Sequence, residues 1–138
     1  MAQNSTSLNR NFNKQLKKYI KNSNKKGTKA IRGVGLQALK MVMIKSPVAE
    51  GTFRGNWNVG INGIDSSTDL DRREAQARTE GNGRIGSFKS GGKINISNAL
   101  PYAMRLEFDA WSSQATNGMV RITLIELTFW LNAQNRRV

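Results

Sequence analysis

Lys14, Lys18, Lys21, Lys25, Lys29 and Arg32 recur three or four residues apart in the first third of the chain. At about 100° per residue on a helix they fall within roughly 80° of one another. The chemistry such a row can do is electrostatic. Cations held in line along a rod attract the phosphates or carboxylates of a polyanion. Residues 7–45 hold eleven of the 22 Lys and Arg, and the first carboxylate of the chain is Glu50. Eleven units of the net charge of +13 therefore lie in this one segment. Solvated helix faces ordinarily mix signs; this one does not, and it reads as a surface meant for a partner.

Other chemistry is poorly served. The chain has neither His nor Cys, which removes the commonest general base, the commonest metal ligand and every thiolate site. Glu107 and Asp109 stand two apart and diverge on a helix, while Glu50 and Glu126 have no visible mate. Gly81-Asn82-Gly83-Arg84-Ile85-Gly86 has the glycine spacing of a dinucleotide-binding loop. It follows an acidic, Gln/Arg-rich stretch instead of the buried strand that loop requires. No enzyme, cofactor or metal is expected. Tyr102, Trp57 and Trp111 are able to stack on bases, but core packing is the commoner fate of such rings, and Trp57 falls on the buried side of its strand. Arg54, between Phe53 and Trp57, is placed either to brace the connector through a cation–π contact or to stand in solvent.

The elements that position the basic row follow from periodicity. Leu8, Phe12, Leu16, Tyr19, Ala30, Val34 and Met41 lie opposite the cations on the same wheel, which predicts a long amphipathic helix over 7–45. Asn22-Ser23-Asn24 and Gly27 are poor helix formers. Because the two faces stay in phase across them, one helix kinked near 23–28 is expected rather than two. Residues 1–6 read as a flexible tail, with Ser5, Thr6 or Ser7 as helix cap. Pro47 ends the helix, and 46–55 form a turn-rich connector. Residues 56–64 and 93–98 alternate as two antiparallel strands, with Asn58, Gly60 and Asn62 on the open side of the first. The polar stretch 65–92, rich in glycine, reads as a long mobile loop, with a short charged helix over 70–79 as the other possibility. A short helix spans about 100–107, and a C-terminal helix runs from about Gly118 to Gln134, with Thr116-Asn117-Gly118 as its start signal.

The 138 residues therefore read as one α+β domain, with the basic helix and the C-terminal helix packed on a small antiparallel sheet. Two strands alone are marginal, so either the long loop adds strands or neighbouring subunits complete the layer. No apolar run reaches the roughly 20 residues that cross a bilayer, and the polar start lacks a signal-peptide core. A soluble chain that folds in a cytoplasm is expected, without membrane contact.

Two segments resemble the tailed-phage neck and tail-completion proteins. Ser46-Pro47-Val48-Ala49-Glu50-Gly51-Thr52-Phe53-Arg54-Gly55-Asn56-Trp57 is similar to that family's first signature, with Glu50 in place of Thr. Ile96-Ser97-Asn98-Ala99-Leu100-Pro101-Tyr102-Ala103 through Leu106-Glu107, and then Ser113-Gln114-Ala115-Thr116-Asn117-Gly118-Met119-Val120-Arg121, resemble its second. There Thr116 replaces Pro and Asp109-Ala110 replaces Gly. The ordered set spans residues 46–121. The resemblance implies a non-enzymatic virion component of the head–tail junction, assembled in the host cytoplasm as a ring of six subunits around the DNA channel. Its partners would be further copies of itself, other neck and tail proteins, and genomic DNA bound without sequence preference. Trp57, Arg54, Pro101, Tyr102 and Glu107 are the motif positions expected at subunit or motif contacts. Two other classes compete. A freestanding nucleic-acid-binding protein would need base-reading side chains on a groove-sized helix, and no helix-turn-helix signature is present. An assembly chaperone or membrane-surface protein would carry bulky aromatics along the apolar face, whereas this face is mixed with small residues.

Overall fold

The basic segment folds as two helices. A computed structural model of the chain describes residues 5–23, 27–48, 51–109, 112–115 and 117–137. Within it α1 spans Ser5–Asn22 and α2 spans Gly27–Ile44. A β-carbon built on Gly27 would lie 3.5 Å from Ile20 Cγ2, although seven residues of unbroken helix rise about 10 Å. α2 therefore does not continue the axis of α1, and the single kinked helix expected over 7–45 is corrected to two. Residues 1–4, part of the expected tail, and Lys25 lie outside the described residues. Ser5 and Thr6, assigned to that tail or to a cap, already belong to α1.

The strands form as expected, slightly shorter. β1 (Trp57–Ile61) pairs antiparallel with β2 (Ile94–Asn98), with Val59 opposite Ile96. Three further helices complete the order: α3 (Glu74–Gly86) between the strands, then α4 (Ala103–Phe108) and α5 (Val120–Arg136). The class is α+β, with helices packed on a small antiparallel sheet. Leu39, Val42 and Met43 of α2 share one core with Phe53, Trp57, Val59, Ile85, Leu106 and Met119. A second core joins α1 to α5, where Leu127 and Leu131 meet Phe12, Leu16, Tyr19 and Val34. There the Tyr19 and Trp130 rings tilt together at 5.7 Å.

The expected loop over 65–92 is the largest correction, because half of it is helix. Glycine costs a helix interior about 1 kcal/mol relative to alanine, yet α3 runs through Gly81 and Gly83. At Gly81 the reason is packing: a β-carbon there would sit 2.7 Å from Leu39 Cδ2 and 3.0 Å from Val59 Cγ2. Glycine lets α3 press against α2 and β1, and the burial of Ala77 and Ile85 outweighs its helix penalty. The dinucleotide-like glycine spacing is thus interior to a helix rather than a loop cradling phosphates. The segment before α3 is tied down as well. Asn56 holds the Asp69 backbone from both sides, at 3.0 and 2.8 Å, and Asn58 Nδ2 donates to the carbonyls of Asp65 and Ser67 at 3.0 and 2.7 Å. Asn58 and Gly60, expected on the open face of β1, are consequently buried.

Candidate functional site

The cationic face of α1 is displayed because its apolar face is occupied. Leu8 is buried and Phe12, Leu16 and Tyr19 pack on α5. Asn135 Nδ2 adds bonds to the Gln15 carbonyl and Oε1 at 3.2 and 3.1 Å. With that side fixed, helical spacing turns Lys14, Lys18 and Lys21 outward, and all three are exposed, as are Arg10 and Lys17. Lys29 is exposed on α2. Among the described residues none of these cations enters an ion pair. No carboxylate stands on either helix to neutralise them.

Arg32 does not belong to this free face. Its Nε donates to the Phe88 carbonyl at 2.8 Å and its Nη2 donates to the same oxygen. That guanidinium closes the chain leaving α3 against α2, so its role here is structural. Lys45 likewise pairs with Glu126 of α5 at 2.7 Å. The wheel predicted the direction of the cations but not which would find partners distant in sequence.

The residues that carried the family resemblance meet one another. Trp57 is buried, its Nε1 donates to Ser46 Oγ at 2.8 Å, and Ser46 Oγ in turn donates to the Val42 carbonyl at 2.6 Å. The Phe53 ring stands edge-on to Trp57 at 5.9 Å and tilted against Tyr102 at 5.6 Å. Arg54 donates to the Ser46 and Ile44 carbonyls at 2.9 and 3.1 Å. It caps the open end of α2 rather than standing free in solvent. Pro101 is exposed in the turn before α4. Trp57 is accordingly a core residue, and its ring is not offered to bases.

Glu107 is the motif residue with the most demanding geometry. Its Oε1 accepts the backbone N–H groups of Met119 and Val120 at 2.8 and 2.7 Å, and its Oε2 accepts Arg121 Nε at 3.0 Å. These are the unsatisfied donors at the start of α5, and a carboxylate there also complements the helix dipole. Burial raises the pKa of Glu107, but the N–H groups of Val120, Met119 and Arg121 and the Arg121 guanidinium together hold it below the ordinary value. Gly118 has φ of +80°, and a β-carbon on it would lie 2.5 Å from Glu107 Oε2. The local start signal expected at Thr116-Asn117-Gly118 is thus replaced by a cap from α4; Thr116 lies outside the described residues, as do Glu50, Ala110 and Trp111.

Comparison with family models, curated proteins and solved structures finds no match to this chain. The sheet has two unlike edges. Asn62 N donates to the Lys93 carbonyl at 2.8 Å, so by antiparallel alternation residues 57, 59 and 61 turn their backbone groups away from β2. Arg72 Nη2 and Arg84 Nη1 donate to the Trp57 and Val59 carbonyls at 3.3 and 3.0 Å and block that edge. Arg84 also pairs with Asp65 at 2.8 Å. Asp65 has its pKa lowered to about 2 by the Ser67 hydroxyl first, then by the Ser67 N–H and, against a small opposing effect of burial, by Arg84. By the same alternation Ile94, Ile96 and Asn98 turn outward on β2, and no backbone partner among the described residues covers them. An apolar hollow of about 280 Å³ opens beside this edge, with Ile96, Met104, Phe108 and Val120 in its lining. Met104, Phe108 and Val120 are 67%, 56% and 52% exposed.

Sequence reasoning missed Arg72, Asn56, Asn58 and Ser46 as organisers of the site. The signal was faint: asparagines on the face of a strand that alternation assigns to solvent. No group of three potential metal ligands forms among the described residues, and no described helix is long and apolar enough to cross a membrane.

Proposed function

We propose that the chain is a structural subunit of a phage head–tail junction ring, one whose basic helix faces DNA in the channel or acidic surfaces of adjoining proteins. The observation that carries this reading is the unpaired cationic face: Lys14, Lys18 and Lys21 of α1 and Lys29 of α2 are exposed and without ion-pair partners among the described residues. A surface with one sign of charge attracts a polyanion at long range and needs no reacting group. Two further features support it. The motif residues of the resemblance, far apart in sequence, converge on one another through Phe53 and Glu107. The open β2 edge and its apolar border suit lateral assembly, since exposed patches of this kind serve interfaces.

The test is duplex binding by the full chain across a salt series, alongside the variant Lys14→Glu/Lys18→Glu/Lys21→Glu. Binding is expected to be weak, indifferent to sequence and lost steeply with salt. The variant should keep its melting temperature and lose binding, and phage carrying it should fail in head–tail joining or DNA retention. Normal particles from that variant would refute the electrostatic role. Sequence-selective binding that survives raised salt would favour the freestanding nucleic-acid-binding protein.

A further inference from the structure

We propose that the cleft between α2 and α3 is a phosphate-binding subsite for a nucleic-acid backbone. The proposal rests on the polyanion reading above and gives it a specific point of grip. The cleft has a volume of about 390 Å³ and is lined by Gly33, Leu36, Gln37, Lys40, Arg78 and Asn82. Lys40 is exposed and forms no ion pair among the described residues. Among the described residues Arg78 has only a long contact, 3.4 Å from its Nη2 to Glu74 Oε1, an oxygen that also lies 3.4 Å from Arg54 Nη1. Its Nε is shielded from water and has no acceptor among the described residues, although the side chain as a whole is 41% exposed. A donor withdrawn from water and left without an acceptor is costly, and a turn of this partly exposed side chain toward an oxyanion in the cleft relieves that cost.

Chemistry favours phosphate over carboxylate as the occupant. A point-charge ammonium, a planar guanidinium and the carboxamides of Gln37 and Asn82 converge from two helices. That is more donors than the two oxygens of a carboxylate readily accept, and arginine with lysine is the usual phosphate pair. Among the described residues Glu74 is the one carboxylate within ion-pair distance of Arg54 and Arg78, and Lys40 has none, so the local balance stays positive. Gly33 lines the cleft, and a β-carbon on it would touch nothing within 4 Å. Packing gives no reason for glycine there, and helix propensity argues against it. Lys29 and Lys40 fall within about 20° of each other on α2, with Gly33 and Leu36 between them. A backbone drawn along the exposed cations thus passes the mouth of the cleft.

The experiment uses the full isotope-labelled chain at low salt, titrated with inorganic phosphate and, separately, with a short DNA duplex. Both titrations should shift the Arg78 Nε–H resonance and the side-chain amides of Gln37 and Asn82. The variant Lys40→Gln/Arg78→Gln should bind duplex more weakly, with a log–log salt slope shallower by about 0.9, the value of one phosphate contact. Gly33→Ala should melt no lower than the parent yet bind duplex less tightly, because the methyl group fills the space a phosphate would use. Resonances that ignore both phosphate and duplex would overturn the proposal, as would a response to poly-glutamate alone. If the α1 charge reversal abolishes duplex binding while Lys40→Gln/Arg78→Gln binds with an unchanged salt slope, the subsite falls and the role of α1 stands. A parent chain that does not bind duplex at low salt removes the subsite and the DNA-facing role of α1 together, and leaves acidic protein surfaces as the partner of α1.

Discussion

Glu107 caps the helix that begins at Val120: its Oε1 accepts the Val120 backbone N–H at 2.7 Å. The same carboxylate holds Met119 and Arg121, so one side chain from α4 fixes where α5 starts and how it is aimed. Since α5 supports α1, this cap lies upstream of the presentation of the lysines.

Replacing Glu107 should therefore be felt in stability and in its pH dependence. Its pKa is lowered in the folded chain from the ordinary 4.5. A depressed acid stabilises the fold above its unfolded pKa, and that contribution is lost as pH falls through the folded value. Glu107→Gln should cost about 1–3 kcal/mol at neutral pH. Thermal melts of both proteins from pH 7 downward should show the gap narrowing below about pH 4.5. A gap that stays constant across the acid range would mean that the charge of Glu107 is not what caps α5.

Trp57 and Ser46 form a second buried pair. Trp57→Ala should destabilise by about 3–5 kcal/mol. Ser46→Ala leaves the indole N–H without its acceptor and should cost about 1–3 kcal/mol. Urea denaturation gives both values. A near-neutral Trp57→Ala would move that ring from the core to an interface.

The glycines of α3 separate packing from propensity. Gly81→Ala should lower stability by about 1–3 kcal/mol because the new methyl meets Leu39 and Val59. Gly83→Ala finds open space and should raise stability by up to about 1 kcal/mol. Equal effects at the two positions, read by calorimetry, would contradict the close approach of α3 to α2.

Assembly can be probed without touching the core. Met104→Asp and Phe108→Asp place charge on side chains that are already mostly exposed. The pair should leave the melting temperature of the monomer within a few degrees, apart from the contact of Phe108 with Arg121 at 4.9 Å. Native mass or light scattering should show the parent as an oligomer and the variant as a single chain. An unchanged oligomer would remove this surface from the interface.

Local repetition determined much of this protein. The spacing of Lys14, Lys18 and Lys21 opposite Phe12 and Leu16 gave α1 its two faces. The alternation of Trp57, Val59 and Ile61 gave β1, and Leu124, Leu127 and Leu131 gave α5. The lack of His and Cys narrows the chemistry whatever the fold. These signals repeat within a few residues, and a single sequence displays them in full.

Only the tertiary structure decided the rest, because each remaining choice is made by a partner far along the chain. The division into α1 and α2 is favoured by packing both helices on α5, a gain no helical wheel contains. The stretch from Glu74 to Gly86 becomes helix because burying Ala77 and Ile85 outweighs the cost of its glycines, and Gly81 fits where Leu39 and Val59 leave room for nothing larger. Arg32 leaves the cationic row for a carbonyl 56 residues away. The start of α5 is set by Glu107 from 13 residues upstream of Val120. Periodicity reports which way a side chain points; whether something waits for it there depends on contacts that sequence spacing does not encode.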